Sequence, residues 1–411
     1  MRISIIIPTR ERAIYLRHCL RTVLDIEDDG IEIIVSDNAS VDSTADVLAQ
    51  IHDPRVKVIN TGKRVSMREN FEFSLSHATG DYVIYIGDDD AFIPGQFRVL
   101  RNALETHRPD SLSWSIPTYG WPIEGFIGKA GGVRFEKKFL FGALQEVDMA
   151  RIRAKLLSAD FEDFQAPTLY HGAASRSFME RHRAANGIFF NGSSPDLYYT
   201  DLAILKGARH FDLCHPITIS GKSAASTGAA SNSKSIKANA ENPATRFARE
   251  SNADQVRDLV NFGTSVRGNF FQILETVRDI TKIPEQPDYA SWFKFILADH
   301  KGHDANEQRD VTERLRAYAK QIDQTDTLNR VLADRVSDVS RRRLSARWEK
   351  AKSKLQSFRL SAEMEGENTV HTAARLADII LGDGYRPDGS ANRDALWKGA
   401  RQRSSPFKKQ F

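Results

Sequence analysis

Short apolar runs alternate with helical patterns through the first ninety residues, and this alternation restricts the possible folds more than any other feature of the chain. The run Ile3–Ile7 is largely β-branched and stops at Pro8, which predicts a strand buried on both faces, as in a parallel sheet. Residues 12–24 then carry apolar side chains at helical spacing. The later elements of this part are predicted strands over Ile31–Val35, Val56–Ile59 and Tyr82–Ile86, and a predicted helix over Met67–His77. Strands and helices in this order predict a doubly wound α/β sheet.

Polar clusters follow three of these strands at their carboxyl ends. They are Pro8-Thr9-Arg10, Ser36-Asp37-Asn38 and Gly87-Asp88-Asp89-Asp90. In a doubly wound sheet, ligands bind outside the carboxyl ends of the strands. We therefore expect the three clusters to surround one ligand site.

Asp88, Asp89 and Asp90 are three adjacent carboxylates directly after an apolar strand. Like charges at this spacing repel and raise one another's pKa, so a positive partner is expected. A hard divalent cation, Mn²⁺ or Mg²⁺, meets this need when it also binds the oxygens of a diphosphate. A solvated acidic turn is the alternative interpretation of the same three residues.

The first 230 residues resemble the family 2 glycosyltransferases of the GT-A fold. The segments IIIPTRERAIYLRHCL, IIVSDNASVDST and GDYVIYIGDDDAFIPGQF are similar to the opening strand and helix, the VDDGSTDGT segment and the DXD stretch of that family. The resemblance implies a metal-dependent, inverting transfer from a nucleotide-sugar donor, with a UDP-sugar favoured, to a hydroxyl group of a glycan or glycolipid in cell-surface polysaccharide synthesis. The alternative is a non-catalytic adaptor that binds nucleotide-sugars through a degenerate GT-A shell.

The resemblance also implies which residues bind the donor. Pro8 and Thr9 match the loop around the base, with Arg10 beside them, and Asp37 matches the aspartate that contacts the base. Arg68 falls near the base and the phosphates, although a solvent-facing arginine is an alternative for it.

By the same resemblance, the aspartate triplet holds ribose and metal. Asp88 is the expected ribose or metal neighbour, and Asp89 and Asp90 are the expected metal ligands. Gly87 replaces the usual first aspartate of the family, so the division of roles among the three aspartates stays open. The candidates for a further, histidine ligand are His171, His210 and His215.

Asp196 is the candidate general base that would deprotonate the acceptor hydroxyl. Ser194 and Pro195 precede it in the pattern of a helix start, so a role in the first turn of a helix is the alternative. By resemblance, the SPD segment followed by a glycine- and serine-rich stretch supplies the catalytic aspartate of related enzymes. Asp163 and Asp201 are competing candidates.

We divide the chain into a catalytic region over 1–230, a linker or loop over 231–243, which is rich in small polar residues, and a mainly helical region over 244–411. Residues 341–411 carry 16 Lys/Arg against 8 Asp/Glu, and a basic amphipathic helix is predicted over 341–359. Such a helix suits an anionic membrane surface better than nucleic acid.

An apolar stripe that begins at Val311 is compatible with a homodimer, or with packing against the chain itself. No apolar run is long enough to span a bilayer, and two cysteines are too few for a disulfide framework. We expect a cytoplasmic protein that can be peripheral at the inner face of the membrane.

Overall fold

The computed structural model describes residues 1–122, 130–223, 249–251, 253–263, 265–299, 305–334 and 356–407. In chain order the strands are β1 (Ile3–Thr9), β2 (Ile31–Asp37), β3 (Val56–Asn60), β4 (Tyr82–Tyr85), β5 (Ala91–Phe92), β6 (Ser111–Ser115), β7 (Thr118–Gly120), β8 (Gly132–Glu136), β9 (Leu144–Glu146), β10 (Gly172–Ser175), β11 (His210–Pro216), β12 (Thr218–Lys222) and β13 (Ser357–Ser361).

The helices are α1 (Ala13–Leu24), α2 (Thr44–Ala49), α3 (Met67–Ser76), α4 (Phe97–His107), α5 (Met149–Leu157), α6 (Arg176–Arg181), α7 (Pro195–Leu205), α8 (Val266–Thr281), α9 (Tyr289–Asp299), α10 (Ala305–Gln321), α11 (Thr325–Asp334), α12 (Val370–Leu381) and α13 (Arg393–Arg403). Single 3₁₀ turns cover Pro94–Gln96, Lys137–Phe139 and Ser405–Phe407.

Among the residues described, eight strands form a mixed sheet in the order β3-β2-β1-β4-β10-β6-β11-β9. Strands β1 to β4 are parallel, and β1 lies between β2 and β4. Thr9 pairs with Asp37, and Ile6 pairs with Tyr85, so the carboxyl ends of β1, β2 and β4 meet at one edge. The large α/β sheet, followed by a helical region, confirms the predicted fold class.

Strands β1 and β2 extend further than their apolar runs predict. β1 continues through Pro8 to Thr9, and β2 continues through Ser36 to Asp37. In the parallel register Pro8 lies opposite Ser36, and Thr9 lies opposite Asp37. The sheet itself therefore positions polar residues that the sequence placed in the loops.

Alternate residues of β1 face opposite sides of the sheet, where two hydrophobic clusters lie. Ile5 and Ile7 belong to the first cluster, which includes residues of α1, α12 and α13, whereas Ile6 belongs to the second, which includes residues of α7 to α11. The predicted region 244–411 therefore contributes to both faces of the sheet, and its last helices pack in the same cluster as β1.

The predicted basic helix is wrong at its carboxyl end. Phe358 and Arg359 lie in β13, which pairs antiparallel with β8 in a second sheet of order β13-β8-β7-β12-β5. Phe358 is opposite Phe135, and their ring centroids are 5.4 Å apart. Backbone pairing with a distant strand and the contact between these two aromatic rings override the local helical pattern.

The apolar stripe from Val311 packs within the chain. Val311, Leu315 and Tyr318 are buried in the second cluster, and the Tyr318 hydroxyl donates to Glu275 Oε2 at 2.6 Å. Intrachain packing therefore accounts for this part of the stripe.

Several predictions concern residues outside the described ranges. They are the linker over 231–243 and most of the basic stretch, 341–355. Within the described ranges, no helix combines the length and apolar character needed to cross a membrane.

Candidate active site

A hydrogen bond between two predicted site residues joins the ends of β1 and β4. Thr9 Oγ1 donates to Asp88 Oδ2 at 2.7 Å, and both side chains are buried. Asp37 ends the neighbouring strand β2, directly opposite Thr9. The structure therefore brings the three polar clusters to one edge of the sheet, as expected from the topology.

The Asp37 side chain, at the end of β2, is held by hydrogen bonds from two other segments. Its carboxylate accepts hydrogen bonds from Asn60 Nδ2 at 2.7 Å and from the Ser40 N–H at 3.1 Å. The neighbouring Asn38 donates to the Val65 carbonyl and accepts from the Val65 N–H, both at 2.9 Å. Asn60 was not predicted, because β3 carries no motif and only the β2–β3 pairing brings this amide to Asp37.

Arg12, which was not predicted as a site residue, forms ion pairs with two of the aspartates. Its Nε lies 2.9 Å from Asp88 Oδ1, and its Nη2 lies 2.6 Å from Asp89 Oδ2. The same Nη2 donates to Ser223 Oγ at 2.9 Å, and Ser223 Oγ donates to Asp89 Oδ2 at 2.6 Å. The only signal in the sequence was the position of Arg12, at the start of the helical pattern predicted over residues 12–24.

The electrostatics of this group follow from burial and like charge. The pKa of Asp88 is raised to about 7, because burial and the charge of Asp89 raise it more than the charge of Arg12 lowers it. Burial opposes the charge of Arg12, but the charges of Asp88 and Asp89 raise its pKa above the ordinary value. Arg12 is thus the cation that compensates a buried carboxylate pair.

Asp90 has a different environment from the other two aspartates. Its Oδ2 accepts from the Gly87 N–H at 2.7 Å, and its Oδ1 accepts from the Gly221 N–H at 2.8 Å. His171 Nε2 lies 3.1 Å from Asp90 Oδ2, while His171 Nδ1 lies 2.8 Å from Thr218 Oγ1. These contacts favour a structural role for Asp90, and its assignment as a metal ligand stays a prediction that they do not support.

The other two candidate histidines lie in hydrogen-bonded positions away from the triplet. His210 Nδ1 is 3.2 Å from the Ser111 carbonyl, and burial lowers its pKa to about 4. His215 stacks on Tyr385 with its Nε2 3.1 Å from Gln96 Oε1, and burial lowers its pKa to about 3. Of the three histidines, His171 is the one that contacts the aspartate triplet.

Arg10 and Arg68, both predicted to bind the donor, form ion pairs with acidic residues that are distant in the sequence. Arg10 Nη1 donates to both carboxylate oxygens of Glu250, at 2.8 and 2.9 Å. Arg68 forms a bidentate ion pair with Asp254: Nε donates to Oδ2 at 2.7 Å, and Nη2 donates to Oδ1 at 2.9 Å. Donor binding by these arginines stays a prediction, and the pairing was not visible from local sequence.

Asp196 lies in the first turn of α7, after Ser194 at the N-cap and Pro195 at the first helical position, as predicted. The Ser194 side chain makes no capping bond; its Oγ accepts from Asn269 Nδ2 at 2.8 Å instead. Burial raises the pKa of Asp196, although the Leu197 N–H lowers it. A half-buried carboxylate with a raised pKa has the properties of a general base.

Tyr170 lies within electrostatic range of both Asp196 and the aspartate triplet. Burial raises the pKa of its hydroxyl well above the ordinary value, and the charge of Asp196 and then those of Asp88, Asp89 and Asp90 raise it further. Its backbone forms a bridge to Tyr85, the last residue of β4. The charges of Asp196 and of the aspartate triplet therefore both raise the pKa of the same tyrosine hydroxyl.

The competing candidates for the base are less suitably placed. Asp201 is 5% exposed, and burial followed by the charge of Asp196 raises its pKa well above the ordinary value, which disfavours the ionised form that a base needs. Asp163 is exposed and lines a surface pocket with Asp148 and Arg151. The assignment of Asp196 stays a prediction, favoured over these two by its surroundings.

The donor set of the triplet does not fit a divalent metal in this arrangement. Oxygens of Asp88 and Asp89 form ion pairs with Arg12 or accept hydrogen bonds from hydroxyl groups, and both oxygens of Asp90 accept from backbone N–H groups. In the part of the chain that the structure describes, no three His, Cys, Asp or Glu side chains are grouped as a metal site.

The comparisons with known proteins agree with the strand-end geometry. Residues 4–139 match the family model for glycosyl transferase family 2. The chain is 29% identical over 102 residues to the GalNAc(5)-diNAcBac-PP-undecaprenol beta-1,3-glucosyltransferase of Campylobacter jejuni, and 33% identical over 111 residues to the abequosyltransferase RfbV of Salmonella typhimurium. These matches cover 24% and 26% of this chain, and the chain spans 33% of the length of each relative.

A solved structure of residues 1–349 of TarS from S. aureus, in complex with UDP-GlcNAc, has 15% sequence identity and a TM-score of 0.46, over 83% of this chain and 93% of that chain. The family match covers β1 to β4, which position Thr9, Asp37 and the aspartate triplet. Residues 4–139 are therefore a glycosyl transferase family 2 domain, and the candidate active site lies at the ends of its parallel strands.

Proposed function

We propose that the chain transfers a sugar, with inversion, from a nucleotide-sugar to a hydroxyl group of a glycan or glycolipid in cell-surface polysaccharide synthesis. The observation that carries this proposal is the meeting of Thr9, Asp37 and Asp88 at the ends of parallel strands, in a family 2 domain. A relative named for an undecaprenol-linked glycan supports a glycolipid acceptor. A UDP-sugar is the favoured donor.

In the proposed reaction, the acceptor hydroxyl oxygen attacks the anomeric carbon of the donor. The bond from this carbon to the diphosphate oxygen breaks, and the nucleoside diphosphate leaves with the electron pair. Asp196 takes the proton of the hydroxyl group, so its carboxylate must be ionised. Asp37 accepts a hydrogen bond from the base at the end of β2.

The predicted Mn²⁺ or Mg²⁺ ion would stabilise the charge of the departing diphosphate. Because Asp88 and Asp89 are engaged by Arg12, the residues do not fit such an ion as arranged, and no step of the proposed reaction passes through it. Metal dependence stays a prediction.

Calorimetric titration of UDP-, GDP- and dTDP-sugars, each with Mn²⁺ and with a chelator, tests the donor site. We expect one nucleotide class to bind, and Asp37→Ala to weaken it about 10- to 100-fold, since a hydrogen bond to a charged group contributes about 1.5–3 kcal/mol. Asp46→Ala removes an exposed carboxylate of α2 and should leave the affinity unchanged. Binding of no nucleotide-sugar would refute the proposal, and binding without donor cleavage would favour a non-catalytic adaptor.

The rate of donor cleavage is expected to depend on pH through Asp196. Burial raises the pKa of this carboxyl above the ordinary value of about 3.9, so the ionised base is lost as pH falls through the raised pKa. We expect kcat for hydrolysis of the donor by water to rise with pH and then reach a plateau. Donor affinity measured in parallel separates this effect from titration of Asp88, and a kcat that stays flat through the acid range would contradict the role.

A further inference from the structure

The Arg12 guanidinium lies where the carboxylates of Asp88 and Asp89 converge. Separate nitrogens contact the two carboxylates, Nε at 2.9 Å from Asp88 and Nη2 at 2.6 Å from Asp89. A planar guanidinium with several fixed donors can bridge two carboxylates, which the single ammonium of a lysine cannot do in the same way. This bridging places a positive charge where the sequence predicted a metal ion.

We infer that Arg12 is the resident cation of the Asp88–Asp89 pair and competes with divalent metal ions for these carboxylates. The nucleotide-free chain then excludes Mn²⁺ from this position, and removal of Arg12 creates a Mn²⁺ site. This inference rests on the proposed function, since Asp88 and Asp89 belong to the proposed donor site. The competition between Arg12 and Mn²⁺, however, concerns the chain without bound nucleotide.

Two further contacts hold the arginine in place. Ser223 Oγ accepts from Nη2 at 2.9 Å, and the guanidinium carbon lies 5.2 Å from the centroid of the Tyr15 ring. The Arg12 side chain is 20% exposed, and the two aspartates are 4% and 8% exposed. In such a position the charges are poorly screened by water, so the competition with another cation is strong.

The neighbouring arginines are engaged elsewhere. Arg10 pairs with Glu250, and Arg68 pairs with Asp254. Replacement of Arg12 by a neutral residue therefore leaves two converging carboxyl groups without their compensating cation, and their oxygens are the kind of donor set that a hard divalent cation binds.

Mn²⁺ binding to the full chain without nucleotide, followed by electron paramagnetic resonance, tests the inference. We expect no saturable binding by the wild type, and saturable binding by Arg12→Gln at an affinity at least about tenfold tighter than the weakest that the measurement detects, since one compensating charge is lost next to two carboxylates. The gain should disappear in Arg12→Gln combined with Asp89→Asn. Arg17→Gln removes an exposed arginine from α1 and is the matched control, which should behave as the wild type.

Arg12→Lys is a second variant that tests the inference if Arg12→Gln does not fold. It keeps the charge but loses the two-carboxylate bridge, so we expect Mn²⁺ affinity between those of wild type and Arg12→Gln. Saturable Mn²⁺ binding by the nucleotide-free wild type would overturn the inference, as would folded Arg12 variants with unchanged Mn²⁺ affinity. Neither result would affect the nucleotide-sugar titration, so failure of the inference and failure of the proposed function are distinguishable.

Discussion

Asp196→Asn is expected to lower kcat for donor cleavage about 10²- to 10⁴-fold, the usual contribution of a positioned general base. The asparagine side chain preserves the size of the carboxyl group but cannot take the proton of the attacking hydroxyl. Asp196 lies in the first turn of α7 and not at the strand ends where the donor is proposed to bind, so the donor Kd should change less than about threefold, a small effect on the binding free energy. Hydrolysis of the donor by water gives kcat, and calorimetry gives the Kd.

The competing aspartates serve as matched controls for this substitution. Asp201→Asn changes a buried carboxyl of the same helix, and Asp163→Asn changes an exposed one. Both variants should retain kcat close to that of the wild type. If either of them loses turnover while Asp196→Asn keeps it, the base has been assigned to the wrong residue.

Asp254→Ala is expected to lower the free energy of unfolding by about 3–5 kcal/mol, because it leaves the buried charge of Arg68 without its partner. The two side chains are 6% and 2% exposed for Arg68 and Asp254. Asp254 also accepts a hydrogen bond from Ser66 Oγ at the start of α3, so the substitution removes a tie between this helix and the segment after residue 249. Denaturant unfolding followed by circular dichroism measures the change.

The pH dependence of this effect has a defined sign. Burial opposes ionisation of Asp254, but hydrogen bonds from Arg68 and Ser66 hold its pKa below the ordinary value. Its contribution to stability is therefore full above the unfolded pKa of about 3.9 and is lost as pH falls through the folded pKa. The difference between wild type and Asp254→Ala should shrink in acid.

An exposed ion pair provides the control for the loss of an aspartate. Asp279→Ala breaks the ion pair between Asp279 and Lys282, whose side chains are 54% and 78% exposed, respectively. This substitution should lower the free energy of unfolding by less than about 1 kcal/mol. A similarly small decrease in the free energy of unfolding for Asp254→Ala would contradict the assignment of Arg68 and Asp254 as a stabilising buried ion pair.

The sequence alone predicted the α/β core and the position of the candidate site. Apolar runs such as Ile3–Ile7 predict strands that are buried on both faces, as the structure has them. Polar residues at the carboxyl ends of parallel strands converge at one edge of the sheet, so the grouping of Thr9, Asp37 and Asp88 could be predicted from the sequence. The start of α7 at Ser194 and Pro195 followed from local helix chemistry.

The tertiary structure alone decided which charges meet. Arg12 lies 211 residues before Ser223, Arg68 lies 186 residues before Asp254, and β13 pairs with a strand from the first half of the chain. Local propensity carries no information about partners at such separations, and a segment such as Phe358–Arg359 changes from predicted helix to strand when a distant edge offers backbone pairing and an aromatic contact. The candidate site could thus be predicted from strand order, whereas the pairing of Arg12 with Asp88 and Asp89 could be identified only from the folded chain, because ion pairing depends on distances that the sequence does not contain.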